Sequence, residues 1–256
     1  MPVHHSVRPS PIFLAIVAVA AFGGVLAWLY GTETGALAYA GVFIFVIAGW
    51  VVSLCLHEFG HAFTAWRFGD RSVAVRGYLD LDPRRYSNPW LSLGIPILIT
   101  ALGGIGLPGA AVYLHTSFMT AAKRTMVSLA GPSANLLLAV LLLGLTNAFF
   151  DAAHWVFWAG VAFLGFLQIT ALLLNLIPLP GLDGYNALEP HLSPETQRAL
   201  DQFKPYGILF LVFLLFVPQV GQAFFGLVSW FFELSGVHAL MWQHGASLTQ
   251  FWNAWF

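Results

Sequence analysis

Five apolar runs, each long enough to cross a lipid bilayer as a helix, constrain the folding of this 256-residue chain more than any other feature. A helix needs about 20 residues to cross a hydrocarbon core roughly 30 Å thick. The runs are residues 12–30, 36–56, 126–147, 155–177 and 206–232. Only 8% of the residues are charged, whereas soluble domains have about 25%. The sequence therefore predicts an all-α, multi-pass protein of the cell membrane, in contact with the lipid bilayer.

The basic residues predict the orientation of these spans, since Lys and Arg in short loops mark the cytoplasmic side. If the chain crosses the membrane once at each of the five runs, all ten basic residues lie in loops on the same face. They are Arg8, Arg67, Arg71, Arg76, Arg84, Arg85, Lys123, Arg124, Arg198 and Lys204. The opposite loops, residues 32–35 and 147–154, contain none. We therefore expect a cytoplasmic amino terminus and, after five crossings, an external carboxyl terminus.

Residues 91–113 are apolar enough to enter the membrane but are rich in Gly and Pro. Basic residues flank the segment on both sides, so a full crossing would break the charge pattern. We predict a re-entrant loop or a short broken hairpin, which is tolerated at membrane depth only where protein or a wet cavity covers its backbone. An ordinary span with an irregular end is the alternative, and it would raise the number of transmembrane helices from five to six.

Residues 70–82 show a different periodicity. Four apolar residues here are separated by two or four positions: Val73, Val75, Leu79 and Leu81. Such even spacing matches the two-residue period of a β-strand. We therefore expect a short membrane-associated β-hairpin here.

No connection between the spans is long and polar enough for an extramembrane domain. Such a domain needs about 40 residues to fold without disulfide bonds, metal ions or oligomerisation. We therefore predict one membrane-embedded domain over residues 1–256, with its core at about 40–205. We interpret run 12–30 as a span and not as a signal peptide, because it is longer than a typical h-region and leads into another span. The chain would end in span 206–232 and an interfacial tail, residues 236–256, rich in Trp and His.

The sequence HEFGH at residues 57–61, at the inner end of the second run, carries the clearest chemical signal. Residues four apart on a helix differ by about 40° in azimuth, so His57 and His61 converge. Such a pair can bind zinc, and Glu58 is placed to activate a water molecule as general base. One buried His is usually structural, but two His and a carboxylate in one span require a partner, a cavity or a metal. Cys55 is the only cysteine, which excludes an intrachain disulfide and a Cys-based zinc site.

A catalytic zinc usually has three protein ligands and an open fourth position. Asp183 is the best candidate for the third ligand, because it follows the fourth run in a segment, residues 175–184, whose prolines and glycines break the helix. The second and fourth runs both pass from outside to inside, so their ends reach the same membrane face. The alternative is a turn residue, since Asp-Gly is a common turn pair. His115 and His191 are the next candidates.

Together, three segments resemble those of the site-2 protease family of intramembrane zinc metalloproteases, in its compact bacterial form without an inserted PDZ domain. They are HEFGH at 57–61, AGPSAN at 130–135 and NLIPLPGLDG at 175–184. The resemblance implies a membrane-buried protease core with one Zn²⁺ per chain, held by His57, His61 and Asp183, and with Glu58 as catalytic residue. It further implies that Asn135 binds the substrate or stabilises the oxyanion. An interhelical hydrogen bond is the alternative role for that amide.

The implied function is hydrolysis of peptide bonds within or near transmembrane segments of single-span membrane proteins. An inactive scaffold or chaperone of the same fold is the alternative; only the loss of a ligand or of the base would reveal it from sequence, and none is missing. A metal transporter would line a path with polar residues at several depths, whereas here they cluster at one face. A net charge of -1 and the lack of a basic stripe argue against a nucleic-acid partner. The oligomeric state is left open.

Overall fold

The computed structural model describes residues 7–30, 35–85 and 113–250, and these are predominantly helical. The helices are α1 (Pro11–Leu29), α2 (Ala36–Arg67), α3 (Ser72–Val75), α4 (Ala121–Phe149), α5 (Trp155–Leu176), α6 (Asp183–Leu188), α7 (Pro194–Asp201), α8 (Gly207–Leu215), α9 (Pro218–Glu233) and α10 (Ala239–Thr249). Apart from Tyr113, the segment predicted to re-enter the membrane, residues 91–113, lies outside the described residues.

Four helices, α1, α2, α4 and α5, are long and apolar enough to cross a membrane. They confirm the helices predicted for the first four apolar runs. With 32 residues, α2 is about 48 Å long and exceeds the roughly 30 Å of a hydrocarbon core. The most enclosed helix is α5, which packs between α2, α4 and α10. It forms the centre of the bundle.

Glycines allow the helices to cross at short distances. A Cβ at Gly60 of α2 would lie 2.7 Å from the carbonyl oxygen of Ala130 in α4, so only glycine fits there. Small residues permit such close backbone approach between membrane helices. This crossing brings the last third of α2 against the part of α4 that contains the AGPSAN sequence.

The fifth apolar run is not one straight helix. It consists of α8 and α9, which meet at an angle of 94°. The break has a local cause, because Pro218 lacks the N–H that would continue α8 and instead occupies the first turn of α9. The pair still joins the two ends of the bundle, since Gly207 packs on Pro180 beyond the end of α5 and Gly236 packs on Asn147 near the end of α4. The prediction of one continuous span over 206–232 is therefore corrected to a bent pair.

The predicted β-hairpin at residues 70–82 is wrong. This stretch contains α3 and a 3₁₀ turn at Tyr78–Asp80, and the described residues contain no strand. Gly77 and Leu81 both have positive φ, which turns the chain at short intervals and prevents an extended strand. Val73 and Leu79 are buried against the end of α2, so their spacing reflects packing on that helix.

The start of the predicted interfacial tail forms a packed helix, α10. Gly245 fits against the carbonyl of Ala159 in α5, and Trp242 stacks on Phe166 at 4.0 Å between ring centroids. Helix α10 therefore covers the first half of α5. The interfacial position of the last residues stays a prediction, because residues 251–256 lie outside the described part of the chain.

Candidate metal centre

The two His residues of the HEFGH sequence lie on one face of α2, in the wall of a cavity inside the bundle. Both are buried, and their rings are 4.8 Å apart between centroids. The Nε2 atoms lie 3.1 Å from each other. Glu58 lies between them in sequence, is also buried, and lines the same cavity. The helical spacing therefore produces the convergence that the sequence predicted.

Asp183 reaches these His residues from the first turn of α6. The chain leaves α5 at Ile177 and passes through a turn in which Gly181 has a φ of +98°, a conformation that favours glycine. Any side chain at Gly184 would collide with the carbonyl of Leu176, so this glycine lets α6 fold back against the end of α5. The Pro and Gly residues of the segment thus place the carboxylate beside α2.

Asp183 Oδ2 lies 3.2 Å from His57 Nε2 and 3.3 Å from His61 Nε2. These three residues form a group whose ligand atoms all lie within 4.8 Å of one another. His115 and His191, the other candidates for the third ligand, do not belong to it. His115 Nδ1 lies 3.1 Å from Ser72 Oγ, and His191 Nε2 lies 3.0 Å from Thr125 Oγ1.

The hydrogen bonds of the two rings show why this group suits a cation. His61 Nδ1 lies 2.8 Å from the carbonyl oxygen of Val127, which can only accept, so Nδ1 donates and Nε2 presents a lone pair. His57 Nδ1 lies 2.6 Å from Asn135 Oδ1 and donates in the same way. Asp183 Oδ2 has no hydrogen-bond donor among the described residues. Three lone pairs that face one another suit a bound cation, and two imidazoles with a carboxylate are a common zinc donor set.

Gly131 of α4 lines the space between the ligand atoms. A Cβ at this position would lie 2.6 Å from His57 Nε2 and closer still to His61 Nε2. Because Gly131 has no side chain, the AGPSAN sequence leaves space on the surface of α4 where a metal ion would be held.

We predict that Gly131→Ala lowers zinc affinity about tenfold or more, because its methyl group occupies the ligand space and displaces the imidazoles. Gly144→Ala is the matched control, since Gly144 lies on the same helix with no atom within 4 Å of its added Cβ. Zinc content of both purified variants, with their metal-free melting temperatures, provides the measurement. Equal zinc content in the two variants would contradict this account of the site.

The cavity has a volume of about 740 Å³ and combines the buried ligands with a polar rim. Glu189 at the rim is paired with Lys204 at 2.8 Å and with Arg124 at 3.6 Å. Asn175, in the last turn of α5, is buried in the same wall. Sequence reasoning gave Asn175 no role, although it lies in the segment that contains Asp183.

Asn135 lines the cavity, but both ends of its side-chain amide are engaged. Oδ1 accepts from His57, and Nδ2 donates to Gln168 Oε1 at 2.8 Å. These are the interhelical bonds that the sequence left as an alternative. The role of Asn135 in binding the substrate or the oxyanion stays a prediction, and it would require one of these bonds to open. Gln168 was missed by sequence reasoning, although a Gln inside an apolar span is a recognisable signal.

Comparison with known proteins agrees with this site. The chain is 64% identical over 255 residues to a Mycolicibacterium smegmatis protein named "Putative zinc metalloprotease Rip2", with 100% of this chain and 98% of that protein covered. A Mycobacterium tuberculosis (strain H37Rv) protein of the same name is 66% identical over 251 residues, with 98% and 97% covered. "Putative zinc metalloprotease YwhC" of Bacillus subtilis is 33% identical over 182 residues, with 67% and 80% covered.

No protein-family profile matches the chain, and no solved structure matches it. The names of these relatives and the buried His-His-Asp group define the class of protein as a zinc metalloprotease, and its helices are long and apolar enough to span a membrane. Within that class, the chain belongs to the site-2 protease family.

Proposed function

We propose that this protein is an intramembrane zinc endopeptidase that cleaves single-span membrane proteins within or near their transmembrane segments, as in regulated intramembrane proteolysis. The observation that carries the proposal is the position of the His57, His61 and Asp183 group. It lies inside a bundle of apolar helices, beside the buried carboxylate of Glu58. A catalytic site enclosed by apolar helices suits a substrate that reaches it from the lipid bilayer.

His57, His61 and Asp183 would hold the zinc ion, and Glu58 would act as general base and then as general acid. When bound, zinc lowers the pKa of a water ligand and polarises the scissile carbonyl group. The Glu58 carboxylate takes the proton of the attacking water and delivers it to the leaving amine. Peptide hydrolysis needs both transfers, and a single carboxylate in the cavity wall can serve both.

Water has to reach a site that lies between apolar helices. Glu189 forms ion pairs with Arg124 and Lys204 at the rim of the same cavity. These charged groups support the entry of water from that side. By the positive-inside rule this rim faces the cytoplasm. The substrate must unwind at the scissile bond before its carbonyl becomes accessible, because a helix shields its own peptide groups. Helix-breaking residues in the substrate would assist this step.

The proposal is tested by mapping the cut in a model single-span peptide presented in liposomes. We expect products whose masses place the cut within the apolar segment or at its edge, and faster cleavage when that segment contains Gly or Pro. Zinc release into the vesicle lumen without cleavage would instead favour a transporter, and no cleavage by a zinc-loaded protein would favour a scaffold. A cut confined to the polar flanks would refute the intramembrane part of the proposal.

The proposed topology makes a separate prediction. Reporters fused after Arg85, Arg124 and Lys204 should lie in the cytoplasm, whereas reporters at Asp151 and after Gln250 should lie outside. The last position follows from α10, which packs on the first half of α5 near Ala159, at the end opposite to Asp183. Reporter activity on each side of the membrane provides the measurement. An external reporter after Arg124 would show that residues 91–113 cross the membrane fully.

A further inference from the structure

Two arginines near the end of α2 lie over a row of aromatic rings. Phe59 stacks on Phe63 at 5.5 Å between ring centroids, and Phe63 lies 6.0 Å from Trp66. The guanidinium carbon of Arg67 lies 6.0 Å from the centre of the Phe63 ring, and that of Arg71 lies 5.6 Å from the centre of the Trp66 ring. Both arginines are exposed. Two positive charges are therefore held over neighbouring rings where α2 ends.

These two charges are not neutralised by nearby carboxylates. Among the residues that the structure describes, neither Arg67 nor Arg71 forms an ion pair. Asp70, the acid nearest to them in sequence, is buried, and its two oxygens accept hydrogen bonds from Ser72 Oγ and from the backbone N–H of His115. The local positive charge is therefore available to an anion from outside the chain.

The chemistry of the pair favours a phosphate group. A guanidinium that lies over a ring uses its face for that contact and keeps its N–H donors at its edge. Those donors form a planar fork that matches two oxygens of a phosphate group. A lysine in the same position would supply only a point charge. Two such forks on adjacent rings can bind one phosphate from two sides.

The length of α2 indicates that the anion is a lipid headgroup. With 32 residues, α2 is about 48 Å long, close to the 40–45 Å of a bilayer with both of its headgroup regions included. The end of α2 therefore reaches the headgroups, on the face that the positive-inside rule assigns to the cytoplasm. Basic residues directly beyond a transmembrane helix on that face attract anionic lipids.

We propose that Arg67 and Arg71 bind the phosphate of an anionic phospholipid in the cytoplasmic leaflet. His61 precedes Arg67 by six residues on the same helix, which is about 9 Å along the axis. The bound headgroup thereby fixes the depth of the metal centre below the membrane surface. This lipid site adds a ligand to the protein and does not depend on peptide cleavage.

Native mass spectrometry of the purified, delipidated full chain tests this proposal by titration with phosphatidylglycerol or with phosphatidylcholine. We expect the first phosphatidylglycerol to bind about 10 to 30 times more tightly than phosphatidylcholine, because two basic residues face its net negative charge. Replacing both arginines, by Arg67→Gln with Arg71→Gln, should weaken phosphatidylglycerol binding by about tenfold or more. Binding of phosphatidylcholine should change little.

The matched control is Arg84→Gln with Arg85→Gln, which changes the net charge by the same amount in the loop after α3. Arg84 lies 2.8 Å from Asp82, and Arg85 lies 3.9 Å from Asp80. These arginines already have carboxylate partners, so the control should bind phosphatidylglycerol as the unmodified protein does.

A second pair of changes, Arg67→Lys with Arg71→Lys, keeps both charges but removes the planar forks. We expect it to bind phosphatidylglycerol about threefold more weakly than the unmodified protein. If the Gln pair does not fold, as judged by its melting temperature, the Lys pair decides alone, and undiminished binding in that pair would then refute the site.

Three results would overturn the proposal. The first is equal affinity of the unmodified protein for the two lipids, and the second is an equal loss in the Gln pair and in its control, which would indicate a general attraction of the basic face. The third is displacement of the lipid by inorganic phosphate or by an acidic peptide at the same concentration, which would indicate a soluble anion or an acidic partner protein. A protein that binds the lipid as expected but cleaves no peptide would refute only the proposed function.

Discussion

Glu58→Gln should lower the rate of peptide hydrolysis by at least about 10² to 10⁴-fold while zinc remains bound. A range of about 10² to 10⁴-fold is the usual contribution of one general acid-base group, and here one carboxylate serves two proton transfers. Gln has nearly the same shape as Glu and donates and accepts hydrogen bonds, so the buried position stays filled. The measurement is turnover of a verified single-span substrate together with zinc content.

Glu233→Gln provides the matched control, because it makes the same chemical change at an exposed position at the end of α9. It should cleave at the unmodified rate. The Glu58→Gln protein should also retain its natural substrate during purification, and identification of that copurifying protein would define the substrate class. Cleavage by Glu58→Gln at the unmodified rate would show that another group transfers the protons.

The second large effect concerns the metal ligand that lies outside the HEFGH sequence. Asp183→Ala should weaken zinc binding by more than about 100-fold, because loss of an outer-shell partner alone costs about 10 to 100-fold. The variant leaves two imidazole lone pairs 3.1 Å apart with no charged ligand to complete the site. Zinc content after dialysis against a weak chelator provides the measurement. His57→Ala and His61→Ala should give losses of the same order.

Asp80→Ala is the control for this series, since Asp80 lies in the loop after α3 and pairs only loosely with Arg85, at 3.9 Å. It should retain full zinc content. If Asp183→Ala also kept its zinc and its activity, the third ligand would have to be another residue. In the structure, His115 and His191 are engaged with Ser72 and Thr125, so a ligand role would require either of them to leave its present partner.

Much of this architecture could be predicted from sequence because the controlling signals are local. The four long helices follow from apolar runs of sufficient length, and the convergence of His57 with His61 follows from helical spacing alone. The approach of Asp183 required only the direction of two spans and the helix-breaking residues around Pro178 and Gly181. Each step used residues that are close in sequence or a topological rule that counts crossings.

The remaining features depend on contacts between distant residues. The hydropathy of the sequence does not indicate the bend between α8 and α9, although Pro218, which causes it, can be read from the sequence. The alternation around Val73 matched a strand period because those residues pack against α2. Asn135 and Gln168 are separated by 33 positions in sequence, and no pattern within either helix shows that their amides meet.

Zinc titration of the metal-free protein, with cleavage of a single-span substrate recorded at each step, tests the central claim most directly. We predict no turnover without metal, a linear rise as zinc is added, and a plateau at one zinc per chain. Asp183→Ala should show no such rise over the same range. Full turnover in the metal-free protein, or a plateau that Asp183→Ala reaches equally well, would contradict a catalytic zinc held by His57, His61 and Asp183.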